Sequence, residues 1–280
     1  MSTETGVDLS AYLDRIGHRA DPTPTLSTLN DLIAAHLRHI PFENIDPLMG
    51  VPVTDLDAAG LQRKLVERRR GGYCYEQNGL FRHVLTAVGF EVDLLAGRVV
   101  WMHEPGGALP AETHQLLAVR IPGDPQEYLV DVGFGGQTPS AALRFVVDEE
   151  QPTDLEPFRI TAGDDARFWR MESLVGDRWR PTYLFGSTPR PDIDSVVGSW
   201  FVSTHPGHHF QTGLTASIIA DDARWNLRGR NLAVHRADGS GDKRRLDTAR
   251  DVLTLLTERF GIDIDGIDGL EARVAEVLDS

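Results

Sequence analysis

Hydrophobic side chains recur at helical spacing through the first ninety residues. The first stripe covers residues 9–16 and begins behind Asp8, a residue type that caps helix N-termini well. A second stripe covers residues 26–37 and must end before Pro41, because the residue preceding a proline is pushed out of the helical region. The chain is therefore predicted to begin with amphipathic helices.

Two further stripes extend this helical part. One opens at Asp55 and is predicted to end at the glycine pair 71–72, where a left-handed C-cap costs little. The other starts close to Cys74 and closes at Gly89. The pattern predicts four helices over residues 1–90.

From about residue 91 the hydrophobic period changes to two, which is typical of strands. Alternating runs at residues 114–121 and 127–132 flank the sequence Pro-Gly-Asp-Pro, a turn signal because proline and glycine pre-set the required dihedral angles. These runs predict a hairpin inside an antiparallel sheet or barrel. Further strands are predicted at residues 92–94, 98–101, 143–147, 158–161 and 168–174.

Beyond residue 195 the pattern mixes strands with a helix. An apolar stripe predicts a helix over residues 248–260. Strands are predicted at residues 200–203, 214–220 and 231–236. The fold class is therefore α+β, with a helical first part (1–90), a β middle part (91–195) and a mixed last part (196–280).

Composition narrows the class of protein further. The 280 residues are 41% hydrophobic and 25% charged, with a net charge of −14, which argues against binding to nucleic acid or to an anionic membrane surface. The longest apolar runs fall far short of the roughly 20 residues that a transmembrane helix needs. The first eight residues have neither the basic region nor the apolar core of a signal peptide, so we expect a cytoplasmic location.

The chain contains a single cysteine, Cys74. A lone cysteine excludes an intramolecular disulfide and a cysteine-based zinc site, and leaves either a buried apolar residue or a reactive thiol. Cys74 begins a helical stripe and follows three arginines and two glycines. The free N–H groups of a helix N-terminus and nearby cations favour the thiolate, which is the nucleophilic form. On these residues alone both interpretations stay open.

A catalytic cysteine needs a base, and the base needs a group that orients it. His114 opens one strand of the predicted hairpin, and Asp131 ends the other. For any turn centred between residues 122 and 125, Asp131 falls opposite a residue in the range of about 114 to 118. Each of the two residues has a common structural explanation. Together with Cys74 they predict a Cys-His-Asp triad.

Several segments of the chain resemble the prokaryotic arylamine N-acetyltransferases. They are Arg-Gly-Gly-Tyr-Cys-Tyr-Glu at 70–76, Thr-His at 113–114, Val-Asp-Val-Gly-Phe-Gly at 130–135, Ile-Pro-Phe-Glu-Asn at 40–44 and Ser-Thr-His-Pro at 203–206. The resemblance covers the whole chain. It implies an N-terminal helical bundle, a central antiparallel β-barrel and a C-terminal α/β lid around a cysteine-protease-like Cys-His-Asp core.

The resemblance also implies a two-step acetyl transfer. The Cys74 thiolate, formed by proton transfer to His114, attacks acetyl-CoA, and the acetyl-cysteine then passes its acetyl group to an arylamine, arylhydrazine or N-hydroxyarylamine nitrogen. Asp131 stabilises the imidazolium. Acetyl-CoA is thus a co-substrate, with no permanently bound cofactor, and the kinetics are ping-pong. By the same resemblance an aromatic amine pocket is lined by Phe42, Tyr75, Val99, Trp101 and Phe134.

The glycine-rich run at residues 133–138 is a second candidate site. It lacks the third glycine of a dinucleotide fingerprint and the lysine of a Walker loop. Beside the triad, its backbone N–H groups are a candidate place for the phosphates or the pantetheine arm of CoA. The candidate CoA contacts are Thr113, Gly133, Gly135 and Gly136. No metal is expected, because the histidine clusters have no suitably spaced acidic or cysteine ligands.

Other functions remain open on the sequence. The same triad could serve a thiol hydrolase, a peptidase, a transglutaminase-like enzyme or an amide synthase of a biosynthetic pathway. A binding module with a structural Cys74 is the non-enzymatic alternative. The expected partners are acetyl-CoA and small aromatic amines or hydrazines, with neither nucleic acid nor membrane, and a homodimer is left open.

Overall fold

The computed structural model describes residues 6–103 and 107–279. Its helices are α1 (Leu9–Arg15), α2 (Leu26–His39), α3 (Ile45–Leu48), α4 (Ala58–Leu61, continued by a π-helical segment, Gln62–Glu67), α5 (Cys74–Val88), α6 (Asp192–Thr204), α7 (His209–Thr212), α8 (Ala249–Glu258) and α9 (Leu270–Glu276). Its strands are β1 (Phe42–Glu43), β2 (Glu91–Val99), β3 (His114–Arg120), β4 (Glu127–Val130), β5 (Leu143–Arg144), β6 (Phe158–Ala162), β7 (Trp169–Val175), β8 (Arg178–Phe185), β9 (Thr215–Ala220), β10 (Ala223–Arg228), β11 (Asn231–Arg236) and β12 (Gly241–Arg245).

Three of the four predicted N-terminal helices are confirmed with their ends. The side chain of Asp8 accepts the Ala11 N–H at 3.0 Å and caps α1. Helix α2 ends at His39, just ahead of Pro41. Helix α5 closes at Gly89, whose φ of 107° lies in the left-handed region that favours glycine. Strong periodicity together with a cap or a breaker therefore located these helices.

The third predicted helix exists, but both of its predicted ends are wrong. It is capped by Asp57 instead of Asp55. The left-handed residue that follows it is Arg69, with a φ of 49°, and not one of the two glycines. The glycine pair serves close packing instead, since a Cβ on Gly71 would lie 2.1 Å from the Pro41 carbonyl oxygen. The pair thus lets two backbone segments touch just before α5.

A seven-stranded antiparallel sheet, in the order β5-β4-β3-β2-β8-β7-β6, forms the middle of the molecule. Strands β3 and β4 form the predicted hairpin, with Leu117 opposite Val130. The segment after β5 makes isolated bridges to β6, at the other edge of the sheet, through Val147–Ile160 and Gln151–Phe158. The sheet therefore nearly closes on itself, and the predicted antiparallel barrel is confirmed.

Strand β3 is buried on both faces, which explains its run of apolar residues. Leu116 and Ala118 point into the barrel, whereas Leu117 and Val119 pack against the N-terminal helices. Helix α5 lies across β2 and β3. This packing brings the first residue of α5 to the start of β3.

A second antiparallel sheet, in the order β1-β9-β10-β11-β12, packs against α8 and α9. Its edge strand β1 comes from the first ninety residues of the chain.

The predicted strand at residues 200–203 is wrong, because these residues belong to α6. The short run Trp-Phe-Val at residues 200–202 has a periodicity that fits a strand or a helix. The burial of Ser199, Val202 and Ser203 shows that the spacing is helical. Helix α6 also spans the predicted boundary at residue 195, and the division into three parts stays a prediction.

Among the described residues no helix is both long and apolar enough to cross a membrane. Residues 1–5, which contribute to the expected cytoplasmic location, lie outside the described part of the chain.

Candidate active site

The lone cysteine occupies the first turn of α5. Cys74 is the first helical residue, and the Glu76 carboxylate accepts the N–H of the N-cap residue Tyr73 at 3.1 Å. The side chain of Cys74 is almost fully buried, and its Sγ lies 3.7 Å from the Thr113 carbonyl oxygen. The first N–H groups of a helix have no partners within the helix, so this position favours an anionic sulfur.

His114 and Asp131 form a buried pair beside this thiol. His114 opens β3, Asp131 follows β4, and His114 Nε2 donates to Asp131 Oδ2 at 2.8 Å. The Cys74 thiol is close enough to the same imidazole to help raise its pKa. His114 and Asp131 are 2% and 3% exposed, so the pair is shielded from bulk water. The structure thus brings together the three residues that the sequence predicted as a triad.

Asp131 and Cys74 decide the charge of the His114 imidazole. Burial alone would lower the pKa of His114, but the Asp131 carboxylate and Cys74 outweigh it and raise that pKa to about 10. Burial likewise opposes the ionisation of Asp131, but His114 and the groups that donate to Asp131 hold its pKa below the ordinary value. His114 therefore carries a proton at neutral pH. An imidazolium next to a thiol favours the thiolate.

Asn78 joins the cysteine helix to the aspartate, and the sequence analysis missed it. Its amide nitrogen donates to Asp131 Oδ1 at 3.0 Å and to the Gln115 carbonyl at 2.6 Å, while its oxygen accepts the Val132 N–H at 2.9 Å. Asn78 follows Cys74 by four residues, which places both on one helix face. That spacing is the signal that could have identified it.

Aromatic rings surround the triad. Phe134 contacts His114 edge to face at 5.3 Å between ring centroids, and Phe42 contacts Phe210 at 6.1 Å. Tyr183 of β8 lies against His114 at 4.7 Å. Burial and the nearby Asp131 carboxylate raise the pKa of Tyr183, so its hydroxyl stays protonated. Phe210 and Tyr183 were missed, because neither lies in a sequence motif and only folding brings Phe210 to the Cys74 cluster and Tyr183 to His114.

The other predicted pocket residues differ in their proximity to the triad. Val99 pairs across strands with Tyr183, whose ring lies against His114. Tyr75 packs against α6, since a Cβ on Gly198 would lie 2.1 Å from the Tyr75 hydroxyl. Trp101 follows the end of β2, and no ring contact within the described residues joins it to His114. The predicted aromatic pocket is thus best supported at Phe42, Phe134 and Val99.

The glycine-rich segment offers fewer free N–H groups than predicted. The Gly133 N–H donates to Asp131 Oδ1 at 2.9 Å, and the Gly135 N–H donates to Thr138 Oγ1 at 2.7 Å. Both N–H groups are already bonded inside the protein, so a CoA contact through either of them would have to displace an internal hydrogen bond, and the predicted contacts at Gly133 and Gly135 stay predictions. Contacts of CoA with Gly136 and Thr113 stay predictions.

The C-terminal sheet holds the carbonyl groups of the same segment. The guanidinium of Arg224, 1% exposed, donates to the Thr138 carbonyl at 2.9 Å and to Glu156 at 2.8 Å. Asn226 donates to the Gly136 carbonyl at 3.1 Å. Strand β10 thus fixes the loop that follows Asp131 and joins β4 to β5.

Gly133 lies directly against the nucleophile helix. A Cβ at Gly133 would lie 2.7 Å from Cys74 Cα and 2.9 Å from Asn78 Nδ2. We expect Gly133→Ala to lower the free energy of unfolding by about 1–3 kcal/mol and to lower turnover at least about tenfold, because α5 must move away from Asp131. Urea denaturation and steady-state rates measure the two effects. Gly186→Ala is the matched control, since the nearest atom to its added Cβ is 3.9 Å away, and equal effects of the two substitutions would contradict this packing.

A largely buried network of charged side chains supports the loop that precedes Cys74. Arg70 donates to Glu43 and to Asp46, each at 2.8 Å, and Lys64 contacts Asp46 and Glu76, each at 2.6 Å. Burial raises the pKa of Glu76 to about 7, although Lys64 opposes this shift. Arg70 is therefore a largely buried support of the loop.

The histidines outside the triad contact aromatic rings and polar side chains. His208 and His209 stack at 4.4 Å, and His36 lies between Tyr12 and Gln77, at 2.9 and 2.7 Å. Within residues 6–103 and 107–279, no group of three or more His, Cys, Asp or Glu side chains is arranged to hold a metal ion.

Comparison with known proteins identifies the family. A family model described as N-acetyltransferase matches residues 25–268. The arylamine N-acetyltransferase of Mycolicibacterium smegmatis is 54% identical over 98% of this chain and 99% of its own length, and that of Escherichia coli is 34% identical over 92% and 89%. The structure of the Mycobacterium marinum arylamine N-acetyltransferase in complex with CoA matches with a TM-score of 0.93 at 52% identity, over 96% of this chain and 99% of that one. This chain therefore belongs to the arylamine N-acetyltransferase family.

Proposed function

We propose that this protein transfers an acetyl group from acetyl-CoA to the nitrogen of arylamines, arylhydrazines or N-hydroxyarylamines. Cys74, His114 and Asp131 act as the catalytic triad, and the reaction passes through an acetyl-cysteine. The supporting observation is the buried His114–Asp131 pair at 2.8 Å, beside a thiol at a helix N-terminus, in a chain of this family.

The first half-reaction moves the acetyl group to the protein. The Cys74 thiolate attacks the thioester carbonyl carbon, the C–S bond to CoA breaks, and the CoA thiolate takes the proton from His114. Asp131 keeps the imidazole oriented through Nε2, which leaves Nδ1 for this transfer. The products are free CoA and the acetyl-cysteine.

The second half-reaction restores the thiolate. The amine nitrogen attacks the acetyl carbonyl carbon, His114 takes the proton that this nitrogen loses, and the C–S bond to Cys74 breaks. Because the imidazole is neutral after the first step, it serves as the base in the second. The same residue thus acts as acid and then as base.

Apolar walls make a flat aromatic ring the favoured acceptor. Phe42 and Phe134, with Phe210, present ring faces and edges around the triad, and aromatic rings pack well in such surroundings. An aromatic amine is also largely neutral at pH 7, so its nitrogen keeps the lone pair that the attack needs. Val99, Trp101 and Tyr75 are proposed as further pocket residues.

Acetyl-CoA is proposed as the donor, and free CoA leaves after the first step. The M. marinum relative was solved in complex with CoA, which supports a CoA-dependent reaction here. Thr113, Gly133, Gly135 and Gly136 are the proposed contacts to the pantetheine arm or the phosphates. The thiol hydrolase, crosslinking and amide synthase alternatives gain no support from the family match.

Isotope exchange tests the acetyl-cysteine. Without any amine, labelled CoA should exchange into acetyl-CoA, because the first half-reaction is complete and reversible by itself. Initial rates with both substrates varied should give parallel double-reciprocal lines. Intersecting lines together with no exchange would contradict the proposal and indicate direct transfer within a ternary complex.

A homodimer in the cytoplasm is proposed as the working form. Helix α6 exposes Ile193, Val197 and Trp200 at helical spacing, each more than half exposed. Such a row fits a self-complementary contact between two copies of the chain. Sedimentation equilibrium of the native protein and of Trp200→Arg checks the dimer, which the substitution should disrupt.

A further inference from the structure

A buried chain of hydrogen bonds runs from α1 to the backbone segments that flank the triad. The Tyr12 hydroxyl lies 2.9 Å from His36 Nδ1, and His36 Nε2 lies 2.7 Å from Gln77 Oε1. The Gln77 amide nitrogen donates to the Pro41 carbonyl at 2.7 Å and to the Gly72 carbonyl at 3.2 Å. All three side chains are fully buried. The chain of bonds thus joins α1, α2 and α5 to two carbonyl groups.

The chemistry of the groups fixes the direction of each bond in this chain. An amide oxygen can only accept, so His36 Nε2 carries the proton of the ring. Burial lowers the pKa of His36 to about 4, so the ring is neutral and its Nδ1 accepts. Tyr12 then donates to Nδ1, and burial raises the pKa of Tyr12, which keeps its hydroxyl protonated. The donor end of the Gln77 amide is thereby turned toward the two carbonyls.

The two carbonyls belong to segments that meet beside the nucleophile. Pro41 immediately precedes Phe42, a wall of the proposed acceptor pocket, and Gly72 lies two residues ahead of Cys74. The Gly72 N–H also donates to the Pro41 carbonyl, at 3.3 Å, which is longer than the 2.7 Å contact from Gln77. The Gln77 amide therefore strengthens the connection between the pocket wall and the cysteine loop.

Phe42 is packed closely on several sides. Its ring centroid lies 6.1 Å from that of Phe210, and a Cβ on Gly135 would lie 3.2 Å from the Phe42 ring. The ring also packs against the apolar cluster that contains Cys74. Because protein interiors are close-packed, a backbone shift at residues 41–42 changes the space that is left for a flat ring beside the sulfur.

The groups that activate the thiol are held by other contacts. The His114–Asp131 pair lies at the ends of β3 and β4, and Asn78 joins Asp131 to α5. None of these bonds runs through the Gln77 amide. Loss of that amide should therefore disturb the pocket wall more than the reactivity of the sulfur.

We propose that Gln77, oriented by His36 and Tyr12, is a positioning residue that sets the preference of the site for aromatic acceptors. It holds the Phe42 wall at the separation from Cys74 that suits a flat ring. This inference rests on the proposed acetyl transfer and places the origin of the ring preference in a buried side chain behind the pocket. Acceptors without a ring should depend much less on Gln77.

Alkylation of Cys74 by two matched reagents tests the inference without acetyl transfer. Iodoacetanilide carries a phenyl ring and iodoacetamide does not, and with each the sulfur displaces iodide. The ratio of their rates, divided by the same ratio for glutathione, measures how well the site receives the ring. Gln77→Met should lower this ratio about tenfold and keep the iodoacetamide rate within about twofold of the native rate. Tyr12→Phe, which removes one buried donor, should lower the ratio about threefold.

Gln151→Met is the matched control. Gln151 is also buried, and its side-chain amide also bonds backbone groups, the N–H and the carbonyl of Arg144, at 2.7 and 3.0 Å. It lies where the barrel closes, so the ratio should stay within about twofold of the native value. Should Gln77→Met fail to fold, Tyr12→Phe decides. An unchanged ratio in the folded variants, an equal fall in Gln151→Met, or equal slowing with both reagents would overturn the inference.

Acetyl transfer distinguishes a failure of this inference from a failure of the proposed function. Relative to hydrazine, which has no ring, kcat/KM for an aniline should fall in each variant by the same factor as the alkylation ratio. A native protein that transfers no acetyl group but shows the expected alkylation ratios would contradict the proposed function and still support the role of Gln77. Equal losses for the aniline and for hydrazine, in a protein that does transfer acetyl groups, would overturn that role.

Discussion

Replacing Cys74 by alanine is expected to reduce acetyl transfer by a factor on the order of 10⁵. The reason is that the acetyl group must bond to this sulfur before any amine can take it, and the chain contains no second thiol. Release of free CoA from acetyl-CoA with an aniline or a hydrazine measures the effect. Cys74→Ser should show a similar loss, because a serine hydroxyl beside a protonated imidazole is not ionised at neutral pH.

The fold should tolerate these substitutions. Cys74 packs with Tyr73 and Val202 in a small apolar cluster, and exchange for alanine removes only one buried sulfur atom. Unchanged far-ultraviolet circular dichroism would therefore separate a lost nucleophile from a lost fold. Turnover that survives in folded Cys74→Ala would contradict the covalent mechanism.

Replacing Asp131 by asparagine is expected to lower turnover by about 10³. Oδ1 of Asp131 is held by donors from Asn78 and Gly133, so an asparagine would keep its oxygen there and turn its amide nitrogen toward His114. Nε2 of the imidazole could then only accept, and the proton would move to Nδ1, the nitrogen that faces the thiol. The loss thus comes from the wrong tautomer as well as from the missing charge.

The same substitution should change the pH dependence of Cys74 alkylation. In the native protein the pKa of His114 is raised to about 10, so the imidazolium persists from pH 6 to 9 and promotes alkylation of the neighbouring thiol over that whole range. Without the carboxylate, burial dominates and lowers the pKa of His114. Alkylation of Asp131→Asn should then be slower than that of the native protein at neutral pH, because no imidazolium lies beside the thiol. Identical profiles for the two proteins, measured with iodoacetamide, would contradict the role of Asp131.

Local signals in the sequence predicted most of the fold and the three triad positions. Asp8 and Gly89 mark their helix ends by cap chemistry, and the turn between β3 and β4 determines which residues of the hairpin face each other. Because His114 and Asp131 lie on this one hairpin, their proximity followed from local pairing. Short motifs carry the resemblance to the arylamine N-acetyltransferases. It is confirmed by a relative that is 54% identical over 98% of this chain.

The elements that were missed depend on tertiary packing. Strand β8 ends in Tyr-Leu-Phe but contains Pro181 and two arginines, which weakens its alternation. Strand β1 is only two residues long and exists through its pairing with β9. Helix α6 covers residues 200–203 because its buried side packs against the cysteine segment. Tyr183 and Phe210 reach the triad through these same contacts, so no local pattern could have placed them.

Intact-protein mass spectrometry after brief exposure to acetyl-CoA, with no amine present, tests the central claim most directly. The measured mass should increase by that of one acetyl group, with the modification on Cys74, and addition of an arylamine should remove it. Cys74→Ala should gain no mass under the same conditions. An unmodified native protein, or an acetyl group on another residue with Cys74 free, would contradict Cys74 as the nucleophile.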